Sequence, residues 1–488
     1  MATYEYLKVS PLTRRLVFGY MAVTGGVFLL MMLVGLLMRL AHSRWLPIDP
    51  DVFYQLMTMH AAALIGACAM AGAGIMWYFL SRYVRMSPAI LAINLVCFLI
   101  GAVMVLGSII VGKFGAGWTF LYPLPAISGG QWEVGAAAVF LGGMLVIGTG
   151  FLLLHLECAR AIIARYGSLA RGLGWPLLFK GDTTDTPPKA VVASTMAAIA
   201  NIIGVVSGAA VLAISIANLY FPEITLDPLL AKNLIYFFGH TFINVSIYMG
   251  VIAVYEILPL YTNRPWKTNR VFLAGWTAST VFVLAVYPHH LLMDFNMPPW
   301  TQVAAQALSF TSGIPVLTVT TFGALTLLHR SGIRWDVTSS LLLLSLFGWV
   351  GGGIPAIIDA TIVVNKVMHN TLWVPGHFHF YLLLGVLSMA FGFMYYLAKE
   401  GRMEGIEAPA DSGLDRLALG AYILGGLGFV GVFLYSGSLS VPRRWAVHLP
   451  EWLPYDRLGA AFAAVLVASA AIFVLHFLGR LRGLWARA

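Results

Sequence analysis

Charge is scarce in this chain. Only 10% of its 488 residues are charged, and acidic residues number 20 in all. No polar stretch is long enough to fold as a soluble domain; the longest polar connection spans only 158–189. Cysteine is nearly absent: Cys68, Cys97 and Cys158 stand alone in or beside apolar runs, without any CxxC or CxxCH spacing. That argues against structural zinc, covalently attached c-type haem and a two-copper cupredoxin site in this chain. What remains is apolar. Hydrophobic residues make up 60% and the mean hydropathy is +0.85, the composition of a polytopic membrane protein.

Apolar stretches of spanning length occur at 16–40, 52–81, 89–112, 131–157, 190–218, 230–260, 271–293, 302–328, 337–365, 369–398, 417–439 and 458–479. The expected architecture is an all-α membrane bundle of twelve transmembrane helices, a single integral membrane catalytic domain over 1–488. Glycine clusters at 71–74 and 351–353 suit close helix packing in lipid. The first apolar run, following Arg14 and Arg15, is too long for a cleavable signal. One set of connections, with the two termini, holds 21 of the 29 basic residues. The positive-inside rule then places both termini in the cytoplasm. The net charge of +9 reflects this bias and calls for no nucleic acid, only membrane lipid.

Two short patches stand out, VYPHHLLMD at 286–294 and HNTLWVPGHFHF at 369–380. Imidazoles are costly in hydrocarbon, so intramembrane histidines are candidate functional groups. By span and depth, His60, His240, His289, His290, His377 and His379 all fall in one slab, roughly 5–15 Å below the outer surface at 1.5 Å per residue. His42, His155, His329, His369, His448 and His476 fall mostly at helix ends or in loops and read as ordinary solvated or interfacial histidines.

Helical geometry sorts the six. Residues two apart point about 200° from one another, so His377 and His379 would serve two different cofactors. His289 and His290 follow Pro288, which frees the local backbone. With His240 they would make a three-imidazole site suited to copper or another borderline metal. A haem held by one histidine keeps an open face, and one held by two does not. The pattern suggests a closed haem, an open haem and a three-histidine metal.

This constellation resembles the catalytic subunit of the haem–copper oxidase superfamily, which includes cytochrome c oxidases and nitric oxide reductases. The resemblance extends over essentially the whole chain. It implies that His60, in QLMTMHAAAL, and His379 hold a low-spin haem, and that His377, in VPGHFHF, holds a high-spin haem. His240 in FFGHTFIN and the His289–His290 pair in PHHLL match the copper ligands. Arg443 and Arg444 in VPRRW match an arginine pair on haem propionates, Arg39 a helix-one arginine near the low-spin haem, and His369 a helix-ten residue near propionates. Guanidinium–carboxylate pairing explains the arginines. Asn370 replaces the aspartate that would help hold magnesium. The implied cofactors are two haems, with type b favoured, and one copper.

The departures bear on the substrate. Many members carry a tyrosine four residues after the helix-six histidine, where this chain has Asn244; others carry it before the helix-seven pair, where this chain has Val283. In the superfamily that tyrosine supplies the fourth electron and a proton for breaking the O–O bond. Coupling two NO molecules needs only two electrons, which the two metals can provide. Nitric oxide reduction to N2O is therefore the expected activity, with O2 reduction to water as the alternative. Familiar nitric oxide reductases carry a glutamate near the Asn244 position and a non-haem iron; an amide is a poorer iron ligand, so copper is expected. Tyr248 and Tyr287, one turn beyond the two vacant positions, are candidates for a relocated tyrosine.

Protons are expected from the cytoplasmic side along Asn244, Tyr248 and Tyr255, which lie within roughly 80° of His240 on one helix face. Glu256 would be the entrance, and Ser309, Ser312 and Thr318 would face the stripe. Electrons are expected on the outer side, from a small cupredoxin-type or cytochrome c subunit at a prokaryotic cytoplasmic (inner) membrane. A secondary transporter also suits twelve spans. That reading expects embedded carboxylates and has no use for six histidines in one slab.

Overall fold

A computed structural model describes residues 6–294, 296–403 and 410–487. Among them every extended element is helical, and the lone β-bridge pairs Thr371 with Pro442. Among the described residues, twelve helices are long and apolar enough to cross a membrane. In order they are Pro11–His42, Pro50–Leu80, Pro88–Ile110, Val134–Tyr166, Lys189–Tyr220, Pro228–Thr262, Arg270–Leu291, Pro299–Leu328, Val337–Asp359, Trp373–Lys399, Gly413–Ser438 and Pro450–Ala486.

Proline marks many of the starts. Pro11, Pro50, Pro88, Pro228 and Pro299 each open a span, where the missing N–H costs nothing. Spans two, six and ten form the centre, with 89%, 72% and 89% of their apolar windows buried. Helices apolar all round belong in such an interior. Small residues bring them together. A Cβ on Gly72 would meet the Ser246 carbonyl of span six at 2.8 Å, and one on Gly352 of span nine would meet Tyr381 N at 2.8 Å.

The ninth span is shorter than its apolar run. It stops at Asp359, and Ile362–Met368 forms a separate short helix. Asn365 Nδ2 donates to the Asp359 carbonyl at 2.8 Å and satisfies an end that hydropathy alone cannot see. The tenth span starts at Trp373, so His369 precedes it rather than lying within it. Three departures from α geometry cluster around the centre. Span seven ends in a 3₁₀ turn, Tyr287–Leu291, span eight carries a π turn, Thr318–Phe322, and span ten a π stretch, Phe380–Leu387. Such turns re-aim side chains and are frequent at functional sites.

Candidate functional site

The 3₁₀ turn after Val286 aims His289 and His290 at His240 of span six. Ligand atoms of the three rings all lie within 4.8 Å of one another. His240 Nδ1 is 3.2 Å from His290 Nε2. His289 Nδ1 is 2.8 Å from Ser309 Oγ, and Ser309 donates its own hydrogen to Ala305 O at 2.8 Å. The serine oxygen therefore accepts from His289 Nδ1–H, and His289 Nε2 keeps its lone pair for a metal. Three neutral imidazoles converging in an apolar interior suit copper.

A second pair faces itself. The rings of His60 and His379 are nearly parallel, at 17°, with centres 6.1 Å apart. His60 Nδ1 donates to Met31 O at 2.7 Å and His379 Nδ1 to Pro375 O at 2.6 Å. Both Nε2 lone pairs are left free, and the ring spacing leaves room for two metal–imidazole bonds of roughly 2 Å each. Gly35 shapes this pocket, since a Cβ there would meet His60 Cε1 at 2.9 Å. His377, two residues before His379, lines the same cavity as His240, His289 and His290, and its buried Nδ1 has no partner. One cavity of about 720 Å³ is lined by all six histidines. The arrangement can hold a six-coordinate haem, an open-faced haem and a three-imidazole metal.

Comparison with known proteins agrees with this chemistry. The family described as Cytochrome C and Quinol oxidase polypeptide I matches residues 15–476. The chain belongs to the haem–copper oxidase subunit I family. It is similar to cytochrome c oxidase subunit 1 of Synechocystis, 24% identical over 450 residues, covering 88% of this chain and 76% of that one. It is also similar to the haem–copper oxidase subunit I+III of Aeropyrum pernix, 24% identical over 446 residues, with 88% of this chain but 51% of that one covered. A solved haem–copper terminal oxidase dimer shares the fold, with a TM-score of 0.76, 22% identity, and 97% of this chain and 84% of that one covered. This haem–copper oxidase subunit is thus a multi-pass membrane oxidoreductase of a family that binds haem and copper.

Two arginines and a histidine border the cavity. Arg443, Arg444 and His369 line it. Arg443 Nε is buried without a partner, the mark of a site built for an anion. Burial, then the adjacent Arg444, pushes the Arg443 guanidinium down to about 10. Burial and the two arginines push His369 down to about 4, leaving it neutral. Carboxylates such as haem propionates would satisfy all three groups. Asn370 serves the same loop differently: its carbonyl accepts from Arg443 N at 2.9 Å.

Arg39 does not reach solvent. It is 4% exposed, with Nη2 on Asp456 Oδ1 at 3.0 Å, and its guanidinium lies over Phe433, which itself stacks on His379. His42 and His448, expected to be solvated, are instead buried beside it and stacked at 3.9 Å. His42 accepts from Arg39 at Nδ1 and donates to Trp445 O at Nε2, while His448 pairs with Asp456 at 2.8 Å. With Asp456 they form a possible metal-binding group. Parallel rings point their lone pairs alongside one another, and Arg39 adds a positive charge, so the cluster is poorly suited to a cation. His155 is likewise buried, 2.8 Å from Asn201 Nδ2. Packing over long sequence separations covers these rings, which local patterns do not report.

The hydroxyl stripe is partly rearranged. Tyr255 meets Thr320 at 2.6 Å, and not Thr318, because the π turn rotates span eight. Ser309 is taken by His289, and Ser312 donates to Ser309 O. Glu256 turns to the second span's end, accepting from Tyr83 at 2.9 Å. Tyr287 donates to Asn233 at 2.9 Å, while Tyr248 lines the cavity between Trp276 and Trp349. One tyrosine was missed by sequence reasoning. Tyr381 lines the cavity and donates to Asn244 Oδ1 at 3.0 Å. Its spacing of four from His377 was the available signal.

Proposed function

We propose that this subunit is a nitric oxide reductase, converting two NO, two electrons and two protons to N2O and water. The observation that carries the reading is Asn244, one turn below His240, where an oxidase of this family would present a tyrosine. Its Nδ2 donates to His240 O at 2.7 Å, so the side chain is committed to its own helix backbone. Val283, at the second family position, is buried and has no hydroxyl.

In this reading His60 and His379 hold a low-spin haem, His377 a high-spin haem, and His240, His289 and His290 copper. Bound there, the haems and copper supply the electron path and the electrons. Arg443, Arg444, Arg39 and His369 hold propionate charge at the outer rim. The haems are of type b. Tyr255, Tyr248 and Ser312 carry protons from the cytoplasmic side, with Glu256 at the entrance. Electrons enter outside from a cupredoxin-type or cytochrome c partner, and the membrane is a prokaryotic inner membrane with both termini in the cytoplasm.

O2 reduction is the second reading. The Tyr381 hydroxyl on Asn244 favours it, since a phenol stands near the copper ligands after all, and the relatives named above are oxidases. Turnover of the purified complex with NO and with O2 under one saturating donor decides between them. N2O formation outpacing O2 consumption is expected; rapid O2 consumption with negligible N2O overturns the nitric oxide reading.

A further inference from the structure

Neither family position for a tyrosine holds one here, yet the fold brings a phenol into the cavity from a third element. Tyr381 stands four residues beyond His377, in the second position of the π stretch Phe380–Leu387. Gly352 makes room for it, since a Cβ there would meet the Tyr381 backbone nitrogen at 2.8 Å. The Tyr381 hydroxyl donates to Asn244 Oδ1 at 3.0 Å. Asn244 Nδ2 donates to the His240 carbonyl at 2.7 Å and lies 3.5 Å from both ring nitrogens of His240.

The carboxamide therefore has one useful orientation. With its nitrogen committed to the backbone, its oxygen must face the phenol, and the phenol is held beside a copper-ligand candidate. A hydroxyl hydrogen turns freely about the C–O bond, so the same group can leave Asn244 and address the cavity. Tyr248 lines the same cavity, and Tyr255 with Thr320 lies further along the sixth span. Both tyrosines lie on the helix that carries Asn244.

We propose that Tyr381 is the last proton donor to the catalytic cavity, with Asn244 as the residue that positions it. The proposal rests on the nitric oxide reading only for the identity of the gas. The Tyr381 O–H bond breaks as its proton passes to the oxygen released when two NO combine to N2O. The phenolate then takes a proton from the inner hydroxyls, and a second proton follows by the same route to complete water. Both electrons come from the external donor through the haems, so Tyr381 is neither oxidised nor reduced over the cycle. General acids of this kind contribute about 100-fold or more to rate.

Tyr381→Phe keeps the ring and removes the donor. Turnover should fall by about 100-fold, and proton uptake in a single turnover should slow in step, with haem spectra, copper content and CO binding unchanged. If Tyr381→Phe assembles without haem, Asn244→Ala serves instead: it leaves the phenol but frees it, and proton uptake should slow by a smaller factor. Proton uptake and turnover within about twofold of the parent, in whichever variant assembles, overturn the proposal. A parent enzyme that consumes O2 and makes no N2O removes the nitric oxide reading but not this test. Water formation draws protons at the same cavity, and Tyr381→Phe must then slow O2 turnover alike.

Discussion

The two halves of the cavity are built on different terms. On one side, His60 and His379 each spend Nδ1–H on a backbone carbonyl, of Met31 and Pro375, and face each other at 6.1 Å. Both tautomers and both ring planes are set by main chain before any metal arrives. On the other side the anchors are side chains: Ser309 holds His289, and Asn244 Nδ2 lies 3.5 Å from His240 Nδ1. His240 and His290 instead approach each other at 3.2 Å, and the buried His377 Nδ1 has no partner. The His60–His379 pocket is preorganised by the fold, whereas a metal could satisfy the His240, His289 and His290 imidazoles together. Rigid ligands suit electron transfer, and an open, partly unsatisfied set suits binding a substrate.

The comparison breaks most sharply at the ligands. His379→Ala should remove the low-spin haem spectrum and abolish turnover with an external donor, while a CO-binding haem persists. His289→Ala should instead deplete copper and leave both haem signals. Optical and metal analyses of the two variants check this, and loss of haem from the copper-side variant would show that the halves are not independent. A smaller effect is expected at Ser309→Ala, which leaves His289 in place but frees its ring. Copper affinity should fall by about 10–100-fold, as for other outer partners of metal-bound histidines, measurable by chelator competition. The smallest is Gly35→Ala. The added methyl presses on His60, and overpacking of this kind costs about 1–3 kcal/mol. Its low-spin spectrum should shift and its thermal midpoint drop, while copper content stays at the parent level.

Much of the architecture was readable in advance, since each span answers separately to the hydrocarbon around it. Length and hydropathy placed twelve spans. Misreadings fell where a neighbour overrides the local signal. The apolar run through 337–365 is cut at Asp359 by an asparagine that caps it. His42 and His448 sit at a helix end and in a loop, yet are buried because Asp456 and Arg39 close over them. Thr318 was expected to face the polar stripe of span six, but a π turn puts Thr320 on Tyr255.

The sequence by itself determined a twelve-span membrane bundle, because spanning length and hydropathy are properties of one helix at a time. Only the tertiary structure decided which rings meet. Arg39 finds Asp456 across 417 residues, His240 finds His290 across 50, and Tyr381 reaches Asn244 across 137. Those pairings depend on which face each helix turns to its neighbours and on where glycines and π turns let backbones approach, and no local periodicity encodes either.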